Sequence, residues 1–335
     1  MRRACVIAGL ATLFFAHPTL AEPLTISATP ISSFNTDDPT DIRFGPLTYL
    51  SGLTLSSRHA AFGGLSGLSV TDGGKAVLMV SDTGYWVRAS TVMTDGRLTG
   101  LTDAEIVAMQ DSGGVEVVGK EAADAEALAI LSEGPFAGQA LVAFEREDRI
   151  ARYDLASNLS APAVPLETPD GFSDLVTNQG IEGLVALSDA SPKHPGALLA
   201  FAEEMAEEGT PIAAWVIGGP MPGRFAVSQI GGFAITDAVQ LPSGDILLLE
   251  RRFRPPATLH IALRQLAVAD ITPEDTVDGK RIAEFDLRYQ IDNLEGMALH
   301  TDSEGRAILT LISDDNYNPL QRTLMLQFEV DPEAL

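Results

Sequence analysis

Short runs of alternating apolar and polar residues recur along this chain, with Gly, Pro, Asp and Asn between them. That is the period of half-buried strands joined by turns. The clearest run is Asp292-Asn293-Leu294-Glu295-Gly296-Met297-Ala298-Leu299, an acid–Gly step that opens an apolar strand. Variants begin at Ser66, Glu126, Glu182 and Asp237, with spacings of 60, 56, 55 and 58 residues to Glu295. A near-constant period of this size marks a repeat architecture. Four of the five positions carry a carboxylate, and the first unit has Ser66 instead.

A second signal travels with the first. Each motif is followed, after a turn, by an apolar run that ends in acid: Asp82, Glu145, Glu203, Glu250 and Asp314. One unit therefore reads acid, strand, turn, strand, acid. Four strands fit in each of the first four units, but only 294–300, 305–313 and 323–330 fit in the fifth. A spare strand at 48–55 precedes the first unit. Supplied to the last unit, it completes the sheet and closes the ring, which removes open sheet edges. The pattern predicts an all-β β-propeller of four-stranded antiparallel blades. Five blades follow from the count. A further strand at Leu24–Ala28 and the long period leave six open.

The N-terminus breaks this pattern. Met1-Arg2-Arg3 leads into an apolar run to about Phe15 and then Pro18-Thr19-Leu20-Ala21. This is the layout of a signal peptide over 1–21, too short to span a bilayer as a stable helix. Residues 22–46 read as an exposed lead-in, and 47–335 as the propeller domain. The expected location is the periplasm or the medium, by Sec export. The lone cysteine, Cys5, lies inside the leader, so disulfides, thiolate catalysis and Cys-based zinc are excluded from the mature chain.

Charge narrows the function classes. The chain has 22 Lys and Arg against 46 Asp and Glu. Loss of Arg2 and Arg3 with the leader moves the net charge from −24 to −26. Nucleic acid is excluded as a partner by that balance. No later stretch has the length of a membrane span, and a monomer is expected.

The innermost strand of each propeller blade lines the axis. Ser66, Glu126, Glu182, Asp237 and Glu295 would then face one another there. Converging carboxylates repel and need protons, Arg partners or a cation. Calcium, with six to eight oxygen ligands in flexible geometry, suits such a ring. Glu126, Glu182, Asp237 and Glu295 are the axial ligand candidates, with Asp82, Glu145, Glu250 and Asp314 around them. The alternative is a purely structural network in which Arg146, Arg149, Arg251 and Arg252 neutralise the acids. Arg146, Arg251 and Arg88 follow acids at related places and could hold an anionic substrate.

Taken as an ordered set, Gly64-Leu65-Ser66-Gly67-Leu68, Val80-Ser81-Asp82, Ala143-Phe144-Glu145-Arg146, Gly180-Ile181-Glu182-Gly183-Leu184, Leu249-Glu250-Arg251-Arg252-Phe253, Asn293-Leu294-Glu295-Gly296-Met297 and Ile312-Ser313-Asp314-Asp315-Asn316 resemble the phytase-like family, whose bacterial members are often labelled as having esterase-like activity. The resemblance covers roughly 45–330. It implies an exported β-propeller, calcium, and hydrolysis of phosphoesters or carboxyl esters. The resulting expectation is a calcium-dependent hydrolase of small anionic or ester substrates, with Glu182, Glu295 and Glu126 as catalytic residues. Two rivals are a non-catalytic ligand- or protein-binding propeller and a lactonase.

Overall fold

A computed structural model describes residues 21–131, 138–172, 175, 179–203, 209–255 and 258–331. Residues 1–20 of the leader predicted over 1–21 lie outside the described residues. Five antiparallel sheets stand around one axis, and the protein is a five-bladed β-propeller.

Blade I holds Leu65–Thr71, Ala76–Ser81, Tyr85–Thr94 and Arg97–Ala108, from the axis outward. Blade II holds Ala125–Leu131, Gln139–Phe144, Arg149–Asp154 and Val164–Pro165. Ile181–Ala186, Leu198–Ala202, Ile212–Ile217 and Gly223–Val227 form blade III, with Thr276–Val277 added in parallel at its rim. Blade IV comprises Ala234–Gln240, Ile246–Arg254, Thr258–Leu266 and Lys280–Phe285. Blade V has Leu294–Thr301, Ala307–Ser313 and Thr323–Val330, and takes Leu47–Ser57 as its fourth strand. That strand runs antiparallel to the last one, from Val330 opposite Leu47 to Thr323 opposite Leu55. The ring is closed by the N-terminal strand, as the count predicts.

The innermost strands touch in sequence around the axis, and the last meets the first. The hydrophobic core lies in the seams between blades. Trp86 of blade I meets Tyr153 of blade II edge-on, with ring centroids 5.3 Å apart. Leu199, Phe201 and Trp215 of blade III belong to one cluster with Ile235 and Leu248 of blade IV. Each sheet is thus apolar on both faces, which explains why alternation along these strands is weaker than in a half-exposed sheet.

Residues 22–46 differ from the expected lead-in. Glu22–Leu24 adds to the outer edge of blade I, and Ile26–Pro30 to the outer edge of blade V. Phe34 is buried among Phe44, Tyr49, Phe285, Tyr289 and Phe328. Nine residues therefore bridge the two blades at which the ring closes. Their polar composition is that of edge strands, which bury only one side.

Every innermost strand carries a bulge near its start, one step in for four blades and two steps in for blade IV. The register skips Ser66, Glu126, Glu182, Thr236 and Glu295 in turn. An extra residue on one strand locally re-aims its side chain. This repeated irregularity places the site.

Candidate metal and substrate site at the axis

Three sets of equivalent positions meet at one mouth of the ring. The first lies two residues before the bulged residue of each innermost strand: Gly64, Asp124, Gly180, Ala234 and Asn293. The second is the bulged residue: Ser66, Glu126, Glu182, Thr236 and Glu295. The third follows the second strand at Asp82, Glu145, Glu203 and Asp314, and its counterpart in the longer second strand of blade IV is Arg251. The first and third are joined by backbone hydrogen bonds, in which the amides of Asp82, Glu145, Glu203 and Asp314 donate to the carbonyls of Gly64, Asp124, Gly180 and Asn293 at 2.7–3.0 Å. In blade IV the paired residues are Ala234 and Arg251.

This register corrects two sequence expectations. The axial residue of blade IV is Thr236, not Asp237. Its hydroxyl donates to the Leu294 carbonyl of blade V at 3.0 Å, as the Ser66 hydroxyl donates to the Ala125 carbonyl of blade II. Asp237 takes the place of Gly67, Ala127, Gly183 and Gly296, in the seam. Its carboxylate accepts from the amides of Ala238 and Met297. Likewise Arg251, not Glu250, matches the other second-strand acids. Glu250 points to the other face of its sheet, where it is fully buried against the Arg264 guanidinium. A one-residue slip on a strand exchanges the two faces. Arg88 is also elsewhere: it bonds Glu105 on the outer strand of blade I and Asn158 in the turn after the third strand of blade II.

Of the predicted set, Glu126, Glu182, Glu295, Asp82, Glu145, Asp314, Arg146 and Arg251 do come together. Asp124, Glu203 and Lys120 join them without having been predicted as site residues. Glu203 was visible as the acid after the second strand of its unit. Asp124 precedes Glu126 by two, as Asn293 precedes Glu295. Lys120, on a single helical turn at Lys120–Ala123, left no sequence signal.

The electrostatics follow from crowding. Carboxylate oxygens of Asp124, Glu126 and Glu145 lie within 4.8 Å of one another, and so do those of Glu145, Glu182 and Glu203. Burial raises the pKa of Glu126 and Glu182 well above the usual carboxylate range, and neighbouring acids add to it. Burial raises Glu145 too, partly offset by the Gly180 amide. Asp314 is pushed up to about 9 by burial first and the Glu295 charge second. Glu295 is also raised by burial, against the pull of Arg251 and the amide of Asn293.

Three cations balance part of this charge. Lys120 Nζ lies 2.8 Å from Asp82 and 3.5 Å from Asp124. Arg146 pairs with Asp124, and Arg251 lies 3.1 Å from Glu203 and 3.8 Å from Glu295. Even so, Asp82 Oδ1 is buried without a hydrogen-bond partner, while Asp124 Oδ1 makes no hydrogen bond but faces the Lys120 ammonium at 3.5 Å. An unpartnered buried anionic oxygen is costly. A hard divalent cation is what such an all-oxygen donor set fits.

Beyond the acids the innermost strands turn apolar. Leu68, Val70, Leu128, Leu184, Met297 and Leu299 help to line an axial cavity of about 280 Å³.

Fold and site define a five-bladed propeller with an acidic axial mouth. Residues 60–317, more than three quarters of the chain, match the family described as phytase-like, esterase-like activity of phytase, and the chain belongs to that family. No curated protein matches the sequence. Similar solved structures include a glucose dehydrogenase, at 12% identity and a TM-score of 0.44, covering 84% of this chain and 98% of that one. Another is the Neurospora crassa Pan2 WD40 domain, at 11% identity and a TM-score of 0.38, covering 87% and 97% respectively.

Proposed function

We propose that this protein is an exported, calcium-dependent hydrolase of phosphate or other small esters. The observation that carries the reading is the buried Asp82 carboxylate oxygen without a hydrogen-bond partner, beside the close carboxylate oxygens of blades II and III. Family membership supports hydrolysis as the reaction class.

Asp124, Glu126 and Glu145, or Glu145, Glu182 and Glu203, would hold the cation, Glu145 being common to both groups of close oxygens. When bound, calcium would supply Lewis-acid chemistry, polarising the ester oxygen. Glu295, fixed by Asn293 and Arg251, is placed to accept a proton from the attacking water. Burial and the Glu295 charge push the Asp314 carboxyl up to about 9, which suits it to give a proton to the leaving oxygen. Arg146 bonds Asp124 in place, which favours a supporting role over the predicted grip on substrate. Among the described residues no helix is long and apolar enough to cross a membrane.

A non-catalytic binding propeller is the second reading. The counter-cations Lys120 and Arg251 favour it, because they already neutralise part of the cluster.

The test is metal analysis of the purified mature protein, followed by phosphatase and carboxylesterase assays with and without chelator. Bound calcium and a hydrolysis that chelation abolishes are expected. Glu126→Gln and Glu182→Gln should each lower turnover by ~10²-fold or more. Hydrolysis that persists at full rate in chelator would sink the metal reading. Calcium binding without turnover on any ester would leave the binding propeller.

A further inference from the structure

Blade IV departs from the other four in the length of its second strand. Ala76–Ser81, Gln139–Phe144, Leu198–Ala202 and Ala307–Ser313 each stop one residue short of the site acid that follows. Ile246–Arg254 instead runs three residues past Arg251. The ladder to the third strand continues with it, pairing Arg252 with His260, Phe253 with Leu259 and Arg254 with Thr258. A two-stranded ribbon therefore stands beyond the acids on one side of the mouth.

The two faces of this ribbon differ. Side chains alternate along a strand, and directly paired residues share a face. Arg252 and His260 are on one face, and both are engaged there. The Arg252 guanidinium lies 4.4 Å from the centroid of the Phe233 ring and donates to the Gly231 carbonyl at 2.9 Å. The His260 ring is 3.1 Å from Glu284. Arg251, Phe253, Leu259 and Ile261 are on the other face, toward blade V. Ile261 is buried in one cluster with Leu294 and Met297 of blade V, and Leu259 packs against that cluster. Arg251 lies 3.8 Å from Glu295. Phe253 is two residues, or about 7 Å, further along the strand, and it is 56% exposed. One face thus anchors the ribbon, while the other holds a phenyl ring in solvent along the seam that contains Glu295. Tyr317 and Leu320, also exposed, follow Asp314 at the same end of blade V.

An exposed apolar ring gains when a ligand covers it. The unreacting part of the substrate is the group placed to cover this one, because the ring and Glu295 share one seam. Charge argues the same way. Carboxyl groups outnumber the cations Lys120, Arg146 and Arg251 at the mouth, so added negative charge on a substrate gains little there.

We propose that Phe253 receives the apolar group of the substrate, which makes that substrate an ester bearing an alkyl or aryl group rather than a wholly polar one. This rests on the hydrolase reading above and adds a substrate class to it.

Steady-state hydrolysis by the mature protein with calcium tests it on two pairs of probes, phenyl and methyl acetate, and phenyl and methyl phosphate. In whichever pair is hydrolysed, Phe253→Ala should lower kcat/KM for the phenyl member at least tenfold. The loss should lie in KM, with kcat within twofold, as for a contact made equally in ground and transition states. For the methyl member kcat/KM should change less than twofold. Phe253→Leu should keep all values within threefold of wild type. The side chain is exposed, so Phe253→Ala should melt as wild type does. Unchanged kinetics in Phe253→Ala, or equal losses on both members of a pair, overturn the proposal and leave the hydrolase reading intact. Phe253→Trp gives a readout free of turnover, because Trp86 and Trp215 are both buried. Phenylphosphonate should shift its emission to the blue, and methylphosphonate should not. If wild type hydrolyses none of the four probes, the hydrolase reading falls. A blue shift then still supports an apolar subsite at Phe253, and an unchanged spectrum removes it.

Discussion

The backbone amide of Gly180 donates a 3.0 Å hydrogen bond to Oε1 of Glu145, across the seam between blades II and III. The glycine is needed for this approach. A Cβ built on Gly180 would collide with Cγ of Glu145 and stand 3.2 Å from its Cα. Seam and site are thus the same contact, and packing between blades sets where the shared acid of the two carboxylate groups points.

Gly180→Ala should therefore cost both stability and metal affinity. Overpacking of a close contact costs ~1–3 kcal/mol. Displaced Glu145 should weaken calcium binding by about the same factor as Glu145→Gln. A melting curve and a calcium titration on the one variant check this. Lost stability with unchanged calcium affinity would separate the seam from the site.

Glu250 makes the opposite prediction. It and Arg264 are fully buried against each other, and Arg264 also donates to the carbonyls of Ser228 and Asp278. Removing one partner of a buried pair leaves the other charge uncompensated, at a cost of ~3–5 kcal/mol. Glu250→Ala should therefore unfold at much lower denaturant concentration while its folded form binds calcium as wild type does. Chemical denaturation and a calcium titration below the transition measure the two quantities. Lost metal affinity in a folded Glu250→Ala protein would return Glu250 to the ligand set.

The raised carboxylates make stability depend on pH. Asp314 is pushed up to about 9, by burial and then by Glu295, and burial also raises Asp82 and Glu145. Their folded pKa values exceed the unfolded ones, so the native state holds more protons between about pH 4 and 9. The stability they contribute is complete below the unfolded pKa and is lost as pH rises through the folded one. Chelated protein should melt at a higher temperature near pH 5 than near pH 8.5, by ~2–4 °C for each kcal/mol lost. Calcium competes with protons for the same oxygens, so its stabilising effect should be small near pH 5 and grow with pH. Thermal melts in chelator and in calcium across this range test both signs. Chelated protein that gains stability as pH rises would contradict the assignment.

The sequence by itself determined the repeat, the antiparallel strands and the closure of the ring. Strand count and turn residues are local properties, and the spare strand at 48–55, at the other end of the chain, matched the one missing from the last unit. Acids at the start of three innermost strands, Glu126, Glu182 and Glu295, were legible because the same acid–small step opens each. That step also misled, since Asp237-Ala238 has the form of Glu126-Ala127 and Glu250 ends an apolar run as Glu145 does. Only the tertiary structure decided which residue of blade IV is the bulged one. A bulge is set by pairing with the neighbouring strand, and one residue of slip reverses the face on which a side chain stands. By that single step Thr236 and Arg251 reach the axis, while Asp237 goes to the seam and Glu250 to Arg264. The same holds for Lys120 and Asp124, whose nearness to Asp82 depends on two blades meeting rather than on any spacing within either.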